Sequence, residues 1–588
     1  MHIRTYGWVQ NPSDFTKLKL VVQIFDNSSA HYQRLKNTLV NKYIPFMDVK
    51  TNLMNKLNSG VVEFTYPELV GSSKDKNGIS VGRKRPDGTT VKRADAVADG
   101  LIQVTIEPQS TETRGKFWTD NWTSDGYLRW ALSLNFLKHD RDTDICTITE
   151  LGKKFSKSLA GSAIETNLLR DALLAYPPAT QVLNILNTSS KPVTKFYIGN
   201  RLGFPGEKGF TSYDESLMLE WFRNGSKKEL EKIKSDIEGT SDKYARMICT
   251  WLEKVGFVTK HTNYVITAAC GKRAGFQTYS ATARGLHAFK QAHGSSKNTR
   301  TEKYLTWEFL AVEGKNRNYI RSRRAQIIKF LQETSSFTKI LEKLKQLGFN
   351  DEPQTIENDI IGLNTFGLRI EKNGNDVILK DKVLDFSIPQ LNLTKELKDA
   401  ALEHKKVQFQ QLTQLPMKYI ELLEIAYDGK RNRDFEILTA DLFKYVYGFE
   451  SILLGGGRKP DGLIFTDKFG VIIDTKAYSQ GYGKSINQED EMVRYIEDNQ
   501  QRDETRNSVT WWDNFDDSIP DDSFYFLWVS SKFNGNFQEQ LTSTHNRTGI
   551  NGGAINVEQL LIGAAKVSKG QLDISTLPSY MDNKEIIW

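Results

Sequence analysis

Two acidic residues and a lysine in the last third of the chain have the types and spacing for phosphoryl chemistry. Asp461 follows a glycine-rich run, and Asp474 and Lys476 lie two residues apart in GVIIDTKAY. Alternate strand residues face the same side, so Asp474 and Lys476 are predicted to share one sheet face. Carboxylates without nearby His or Cys favour Mg²⁺. We predict Asp461 and Asp474 as catalytic metal ligands, and Lys476 as a catalytic residue that holds or helps to deprotonate the attacking water.

The spacing alone is a weak signal, because an acidic residue followed at i+2 by lysine also occurs at 48–50, 313–315 and 396–398. The preceding PDG and the apolar runs LIF and VII strengthen it. They predict two buried strands, joined by a turn at 467–470, with the charges at the strand ends. A structural ion pair between Asp474 and Lys476 is the alternative.

The elements that must position these residues form a predicted α/β domain over residues 394–588, after a linker at 385–393 marked by Pro389. The domain carries 22 Lys and Arg against 30 Asp and Glu, a net charge of −8, whereas residues 1–393 carry 57 against 42, a net charge of +15. A basic front half favours a polyanionic partner bound through phosphates. A merely soluble surface is the alternative. The charge split also predicts that the acidic domain docks on the basic half when no partner is bound.

An internal repeat lies within the basic half: TSDGYLR at 123–129 and TSDKYAR at 240–246. Each copy is predicted to open a helix, with Thr, Ser or Asp capping its first turn. A short β-rich run and a second helix follow, over 145–149 with ELGKKF and over 264–267 with ARGLHAF. This order is typical of winged-helix domains that place a helix in the DNA major groove.

A third unit, TIENDIIGLNTFGL followed by RIEKNG and DVILK, repeats the order with few cations in its helix. We predict a structural or docking role for it. The predicted subdomains are 1–158, 159–300 and 301–384, the first two reading DNA. A small α/β domain of another use is the alternative for any single unit.

Composition and short motifs argue against several classes of protein. There is no apolar run of about 18 residues and no apolar signal-peptide core in MHIRTYGWVQ, so we expect neither secretion nor a membrane span. Three cysteines without CxxC or CxxH spacing suggest no disulfide or zinc framework and fit a reducing cytoplasm. GYGKS at 481–485 lacks the first glycine of a phosphate-binding loop, since residue 478 is tyrosine, so no nucleotide cofactor is expected.

Several longer motifs carry a resemblance to a known family. RKPDG, DTKAYSQGY and QEDEMVRY resemble the nuclease domain of the FokI family of Type IIS restriction endonucleases, within the PD-(D/E)xK superfamily. RTYGWVQNP, DNWTSDGYLRW, LGFPGEKGFTS and EGTSDKYARMI resemble its recognition region, so the resemblance spans nearly the whole chain. It implies a multidomain α/β and α+β protein: three winged-helix-like DNA-recognition subdomains followed by a PD-(D/E)xK restriction-endonuclease-like α/β domain.

The resemblance also implies site residues and partners. Asp461 and Asp474 would bind Mg²⁺ and Lys476 would be catalytic, with Glu436 a weaker candidate for metal support. Two residues, Asp490 and Arg494, would lie in the interface of a transient homodimer formed on DNA, although their i,i+4 spacing also permits an intrahelical ion pair. The implied contacts to double-stranded DNA come from Gln10, Asn11, Arg93, Gln109, Trp122, Glu238, Lys243 and Arg246.

Departures from the family pattern limit the carry-over. The turn between Asp461 and Asp474 is shorter, the basic segment near 74–90 is longer, and Ser235 and Ile237 stand where the family has Asn and Trp. We expect cleavage of both strands at a fixed distance downstream of a short asymmetric site similar to GGATG. The alternatives are a DNA-binding regulator with an inactive nuclease domain, and a nuclease directed by DNA structure or RNA.

Overall fold

Three small sheets, each attached to helices, precede one six-stranded sheet in chain order. The computed structural model describes residues 1–108, 116–224, 238–267, 271, 273–294, 300–390, 397–455 and 457–588. Within this part of the chain, no helix is both long enough and apolar enough to span a bilayer. The predicted order, small units of helices and short strands followed by a mixed α/β domain, is confirmed.

The first 158 residues form helices and three strands of two to four residues. The helices are α1 Phe15–Gln23, α2 Ala30–Arg34, α3 Val40–Tyr43, α4 Met47–Asn58, α5 Tyr66–Val70, α6 Leu101–Thr105, α7 Asn121–Ser133 and α8 Glu150–Lys157. The strands are β1 Phe64–Thr65, β2 Leu137–His139 and β3 Ile145–Ile148, in the order β1-β3-β2 with antiparallel pairing. Helix α7, the β2–β3 hairpin and α8 form the predicted helix, hairpin, helix order.

The second unit repeats that order, whereas the third has a helix and a hairpin with no helix after them in the described residues 380–390. Their helices are α9 Ala163–Ala175, α10 Pro177–Thr188, α11 Lys195–Gly199, α12 Glu215–Asn224, α13 Thr240–Lys254, α14 Ala283–Ala292, α15 Arg317–Glu333, α16 Phe337–Gln346 and α17 Pro353–Phe366. Their strands are β4 Val193–Thr194, β5 Val258–Thr267, β6 Arg273–Ala281, β7 Ile370–Asn373 and β8 Asp376–Leu379. One continuous apolar core joins residues of all three units, so the front half packs as one body.

The predicted capping is wrong for the first repeat and is confirmed for the second, where Asp242 of the repeat accepts a backbone N–H at the helix start. Helix α7 begins two residues before Thr123, and its cap is Asp120, which accepts from Thr123 N at 2.7 Å. Helix α13 begins at Thr240 after Gly239, whose N–H donates to the Asp242 carboxylate at 2.8 Å. The Thr-Ser-Asp triplet therefore lies inside each helix, because an acceptor on either side of the first turn can satisfy its free N–H groups.

The C-terminal part is a mixed sheet with helices on both faces. Its helices are α18 Leu397–Thr413, α19 Met417–Ile420, α20 Leu422–Ile425, α21 Asn432–Leu442, α22 Ile486–Gln501, α23 Gln538–Thr548 and α24 Val557–Ser568. Its strands are β9 Glu450–Leu453, β10 Gly462–Phe465, β11 Gly470–Lys476, β12 Phe524–Ser530, β13 Gly552–Asn556 and β14 Lys584–Glu585. They run in the order β14-β13-β12-β11-β10-β9, antiparallel from β9 to β11 and parallel from β11 to β14.

Strand β11 is buried on both faces, which explains its nearly continuous apolar run. Val471 and Ile473 belong to the core beneath α19–α21 and α24, whereas Ile472 belongs to the core that includes residues of α22 and α23. The strand period of two therefore directs Asp474 and Lys476, like Ile472, toward the α22 side.

Candidate functional site

The end of strand β11 brings together the three residues predicted from spacing. Lys476 Nζ lies 2.5 Å from Asp474 Oδ2, and both side chains are largely buried. Asp461 immediately precedes β10, the antiparallel neighbour of β11. Its carboxylate accepts from Thr475 N at 2.8 Å and from Thr475 Oγ1 at 2.9 Å. Thr475, between Asp474 and Lys476, thus fixes the Asp461 carboxylate. The spacing did not predict this contact.

The turn before Asp461 is held by a contact from a distant loop. Arg458 has the left-handed value φ = 57°, a conformation that costs a non-glycine residue free energy and needs support from its surroundings. Asn507 Nδ2 donates to the Arg458 carbonyl at 2.9 Å and to Asp498 at 2.9 Å. Asn507 therefore anchors the loop that presents Asp461, and the sequence around it gave no indication of this role.

The negative charges of this site repel each other in a buried environment. Burial raises the Asp474 pKa, and the nearby Asp461 charge raises it further, to about 8 despite the attraction of Lys476. Burial and Asp461 likewise raise the pKa of Glu436, on α21, to about 7. Full ionisation of these carboxyl groups is therefore unfavourable in the metal-free site, and an added cation would favour it.

Lys476 experiences the opposite effect. Burial acts to lower its pKa, but the Asp474 and Asp461 carboxylates outweigh burial and hold the pKa above its usual value. Its ammonium group also lies 5.5 Å from the centre of the Trp528 ring. Lys476 is therefore a fixed cation in this state, suited to donating hydrogen bonds.

The donor set fits a hard divalent cation of low protein coordination. Among the described residues, no group of three or more His, Cys, Asp or Glu side chains is placed to hold a metal ion together. Mg²⁺ commonly takes one or two carboxylates and completes its shell with water and phosphate oxygens. Asp461, Asp474 and Glu436 supply carboxylate oxygens, the ligand type that suits such an ion.

Four of the residues implied as DNA contacts lie near the start of α7 or beside it. Trp122 Nε1 donates to the Asn11 amide oxygen at 3.1 Å when that amide is oriented for it, and 57% of Trp122 is exposed. Arg93 Nε lies 2.9 Å from Asp120, the α7 cap. Gln10 hydrogen-bonds to Tyr244 of α13. These contacts link the first repeat to the second.

Helix α13 carries the second group. Glu238 accepts from Arg246 Nε at 2.9 Å and from Arg246 Nη2 at 3.1 Å, and it also pairs with Lys195. Lys243 lies half-buried on the same helix. Trp251 Nε1 donates to the Pro12 carbonyl at 2.8 Å, which keeps α13 beside the segment containing Gln10 and Asn11. Lys195 lies 43 residues before Glu238, so no local pattern could have predicted this contact.

Three further positions complete the comparison with the sequence. Gln109, Ser235 and Ile237 lie outside the described residues. Asp490 Oδ1 lies 2.8 Å from Arg547 Nη2 of α23, and Arg494 Nε is buried without a hydrogen-bond partner among the described residues. The structure therefore does not bring Asp490 and Arg494 together as an intrahelical ion pair, and both remain candidates for a contact outside the chain.

A contact between the basic and acidic halves lies beside the carboxylate site. The Arg433 guanidinium, on α21, stacks 3.7 Å from the Trp221 ring centre of α12, and Arg433 also pairs with Glu436. Lys444 Nζ lies 2.6 Å from Glu220 on the same helix. Apolar residues of α12, α21 and β9 form a small shared core. Helix α12 therefore covers the Glu436 side of the site.

Comparison with known proteins identifies the class. Family models match four segments, described as "FokI, recognition domain, subdomain 1" (4–158), "FokI, recognition domain, subdomain 2" (165–276), "FokI, D3 domain" (310–375) and "FokI, cleavage domain" (398–587). A cleavage domain behind recognition subdomains, with the carboxylate–lysine site at the end of β11, defines a Type II restriction endonuclease.

The relatives specify the family. The chain is 40% identical over 595 residues to the Type II restriction enzyme FokI of Planomicrobium okeanokoites, covering 99% of both chains. It is 30% identical to the Type II restriction enzyme StsI of Streptococcus sanguinis, covering 97% of this chain and 95% of StsI. Solved structures of FokI alone and bound to DNA match all of both chains, with TM-scores of 0.85 and 0.86 and identities of 39% and 38%. The chain belongs to the FokI family of Type IIS restriction endonucleases.

Proposed function

We propose that this enzyme binds a short asymmetric site in double-stranded DNA, similar to GGATG, and hydrolyses both strands at a fixed distance downstream with Mg²⁺. The observation that carries the proposal is the convergence of Asp461, Asp474 and Lys476 in a domain tethered behind three recognition subdomains. The proposed subdomains are 1–158, 159–300 and 301–384, with a linker at 385–393 and a nuclease domain at 394–588.

Asp461 and Asp474 would hold the metal, with Glu436 beside them. When bound, Mg²⁺ supplies positive charge that stabilises the phosphoryl-transfer transition state. Thr475 keeps the Asp461 carboxylate turned toward β11 through two hydrogen bonds. Lys476, held as an ammonium group by Asp474, would orient the attacking water and donate to the phosphate as negative charge develops. Burial of these groups strengthens each interaction.

Recognition would use the two connected groups of residues. Arg246 and Lys243 can donate to guanine edges, Asn11 and Gln10 can pair with adenine, and Glu238 can accept from cytosine. Gln109 and the exposed Arg93 and Trp122 would complete the contacts near α7. In the absence of DNA, Arg246 and Glu238 satisfy each other, so reading a base would require exchanging this pair for base edges.

Cleavage of two strands by a single catalytic site requires either two successive events or a second nuclease domain. We infer a transient homodimer on DNA through α22, with Asp490 and Arg494 in the contact. Arg494 Nε has no hydrogen-bond partner among the described residues, and Asp490 would exchange its pair with Arg547 for a contact to the partner copy.

A randomised duplex library tests the function directly. The protein is incubated with the library and Mg²⁺, the new ends are sequenced, and Lys476→Ala serves as the control. Ends at one distance from one asymmetric motif, absent with Lys476→Ala, are expected. Retention of one motif without cleavage would favour a regulator with an inactive nuclease domain. Scattered ends without a shared motif would favour a structure-directed nuclease.

A further inference from the structure

An exposed basic loop over residues 74–93 precedes α6, and of its residues only Arg93 is among the implied DNA contacts. It contains seven Lys and Arg but only two Asp, in the sequence KDKNGISVGRKRPDGTTVKR. The loop has little apolar content, and Val91 is its one hydrophobic side chain that is buried. A segment with this charge costs free energy through self-repulsion unless an anionic partner compensates it.

The loop has a fixed shape despite its exposure. Asp75 is 1% exposed and accepts from Asn77 N, Ile79 N and Arg85 Nε, each at 3.0 Å. Asp87 closes a second turn by accepting from Thr89 N at 2.9 Å. Backbone bonds from Gly82 N to Val91 O and from Val91 N to Arg83 O, both 2.9 Å, join the two turns. The backbone therefore presents its side chains in one arrangement, which lowers the entropic cost of binding.

One cation is used to build this shape and four are not. Arg85 lies between Asp75 and Asp95, at 3.0 and 2.8 Å. No ion pair with a described residue is seen for the other four exposed cations of the loop: Lys76, Arg83, Lys84 and Lys92. Internal acids thus hold the frame, while the remaining charges face solvent.

The base of the loop joins the proposed recognition surface. Arg93, its last residue, pairs with Asp120, which caps the helix carrying Trp122. Lys116, just before that helix, donates to the Ala96 carbonyl at 2.6 Å. The loop therefore projects from the same edge of the first subdomain that carries Arg93 and Trp122.

We propose that residues 74–93 bind the phosphate backbone of duplex DNA beside the recognition site, through Lys76, Arg83, Lys84 and Lys92. This inference rests on the proposed function and adds a contact region to it. Lysine and arginine at phosphates add affinity and salt dependence without reading sequence. The loop would thus lengthen the bound DNA without changing the site.

The test measures binding of the full chain, with Ca²⁺ in place of Mg²⁺ to prevent cleavage, to duplexes holding the motif found in the library. One duplex has about two helical turns, ~20 base pairs, on each side of the motif, and others are trimmed on one side. The variant is Arg83→Ala/Lys84→Ala. The matched control is Lys339→Ala/Lys345→Ala, two exposed lysines of α16 in the third unit.

We expect the variant to lose DNA affinity, and the size of this loss should depend on salt concentration and on the length of the flanking DNA. For each phosphate contact, affinity falls about threefold as salt rises from roughly 50 to 200 mM. The variant lacks two such contacts, so the ratio of wild-type to variant affinity should fall about tenfold over that range. Trimming one flank should remove the same advantage, and the control should behave as wild type. Equal salt slopes for variant and wild type, with cleavage intact, would overturn the loop contact and leave the proposed function standing. Wild-type failure to retain any motif would overturn both.

Discussion

At the residue scale, the buried carboxyl groups of the candidate site lower the stability of the metal-free fold. Asp474 is buried beside Asp461, and the pKa of about 8 that burial and Asp461 produce means that its ionised form is unfavourable in the folded protein. Active sites commonly hold such groups because the ligand, absent during folding, compensates them. The ion pair with Lys476 is then part of the site, and the alternative of a purely structural pair can be tested by stability.

We predict that Asp474→Asn raises the melting temperature of the metal-free protein and abolishes its response to Mg²⁺. Asparagine removes the free-energy cost of burying an ionisable carboxyl group beside Asp461, whereas the wild type gains about 1.4 kcal/mol from Mg²⁺ at ~10 times the dissociation constant, or ~4 °C for a domain of this size. Differential scanning fluorimetry with and without Mg²⁺ measures both. The exposed Asp521→Asn is the control. An Asp474→Asn protein that is destabilised without metal would support a structural pair.

Asp242 gives the recognition half a pH dependence of its own. It is fully buried at the start of α13, and burial raises its pKa to about 7 against the hydrogen bonds from Ser212 and Gly239. The folded pKa lies above the unfolded value near 3.9, so the folded state binds more protons between the two. Stability should therefore fall as pH rises from about 4 to about 7, by at most ~1.4 kcal/mol per pH unit from this group.

Asp242→Asn should flatten that slope. Urea unfolding of the full chain, followed by tryptophan fluorescence at several pH values, compares the variant with wild type. Asp242→Asn loses one acceptor, so its stability at pH 5 should be lower than that of wild type while its change toward pH 7 is smaller. Parallel pH profiles for the two proteins would show that Asp242 does not titrate in this window.

At the element scale, sequence patterns predicted structural features that depend on residues close together in the chain. The apolar runs around Asp474 and the strand period predicted that it lies beside Lys476, and the second repeat predicted the start of α13. The cap of the first repeat was misassigned because several acceptors near a helix start can satisfy the same N–H groups. Lys195 beside Glu238 and Asn507 beside Arg458 depend on chain segments 43 and 49 residues away, which no local period encodes.

Helix α22 is where an element-scale prediction about assembly can be made. Asp490→Arg and Arg494→Asp should each abolish cleavage alone, because each places like charges across a symmetric contact. Mixing the two variants should restore at least a substantial fraction of wild-type cleavage. Gel analysis of a single-site plasmid gives the rates. Glu504→Arg, an exposed reversal just after the helix, is expected to retain activity. A mixture as inactive as its components would exclude this contact.

At the scale of the whole molecule, opposite net charges and a shared apolar core hold the nuclease half against the recognition half. The Trp221 ring stacks on Arg433, which pairs with Glu436 of the carboxylate site, and Lys444 pairs with Glu220. An approaching DNA strand would meet α12 on the Glu436 side. Docking in this position would restrain cleavage until recognition releases the nuclease domain.

We predict that Trp221→Ala weakens this docking and increases nicking of supercoiled DNA that lacks the recognition motif several-fold. Truncating a buried tryptophan costs about 3–5 kcal/mol, enough to shift an interface of modest size. Tyr445→Phe, which loses only the hydroxyl contacts to Ser216 and Asp214, should give a smaller increase. The isolated domain 394–588 should give a larger one at equal concentration. Site-specific DNA binding by Trp221→Ala should remain near wild type. This control distinguishes release of the nuclease domain from unfolding of the recognition half. If the isolated domain nicks no faster than the intact chain, docking does not restrain the enzyme, and the recognition subdomains serve only to bring the nuclease to its substrate.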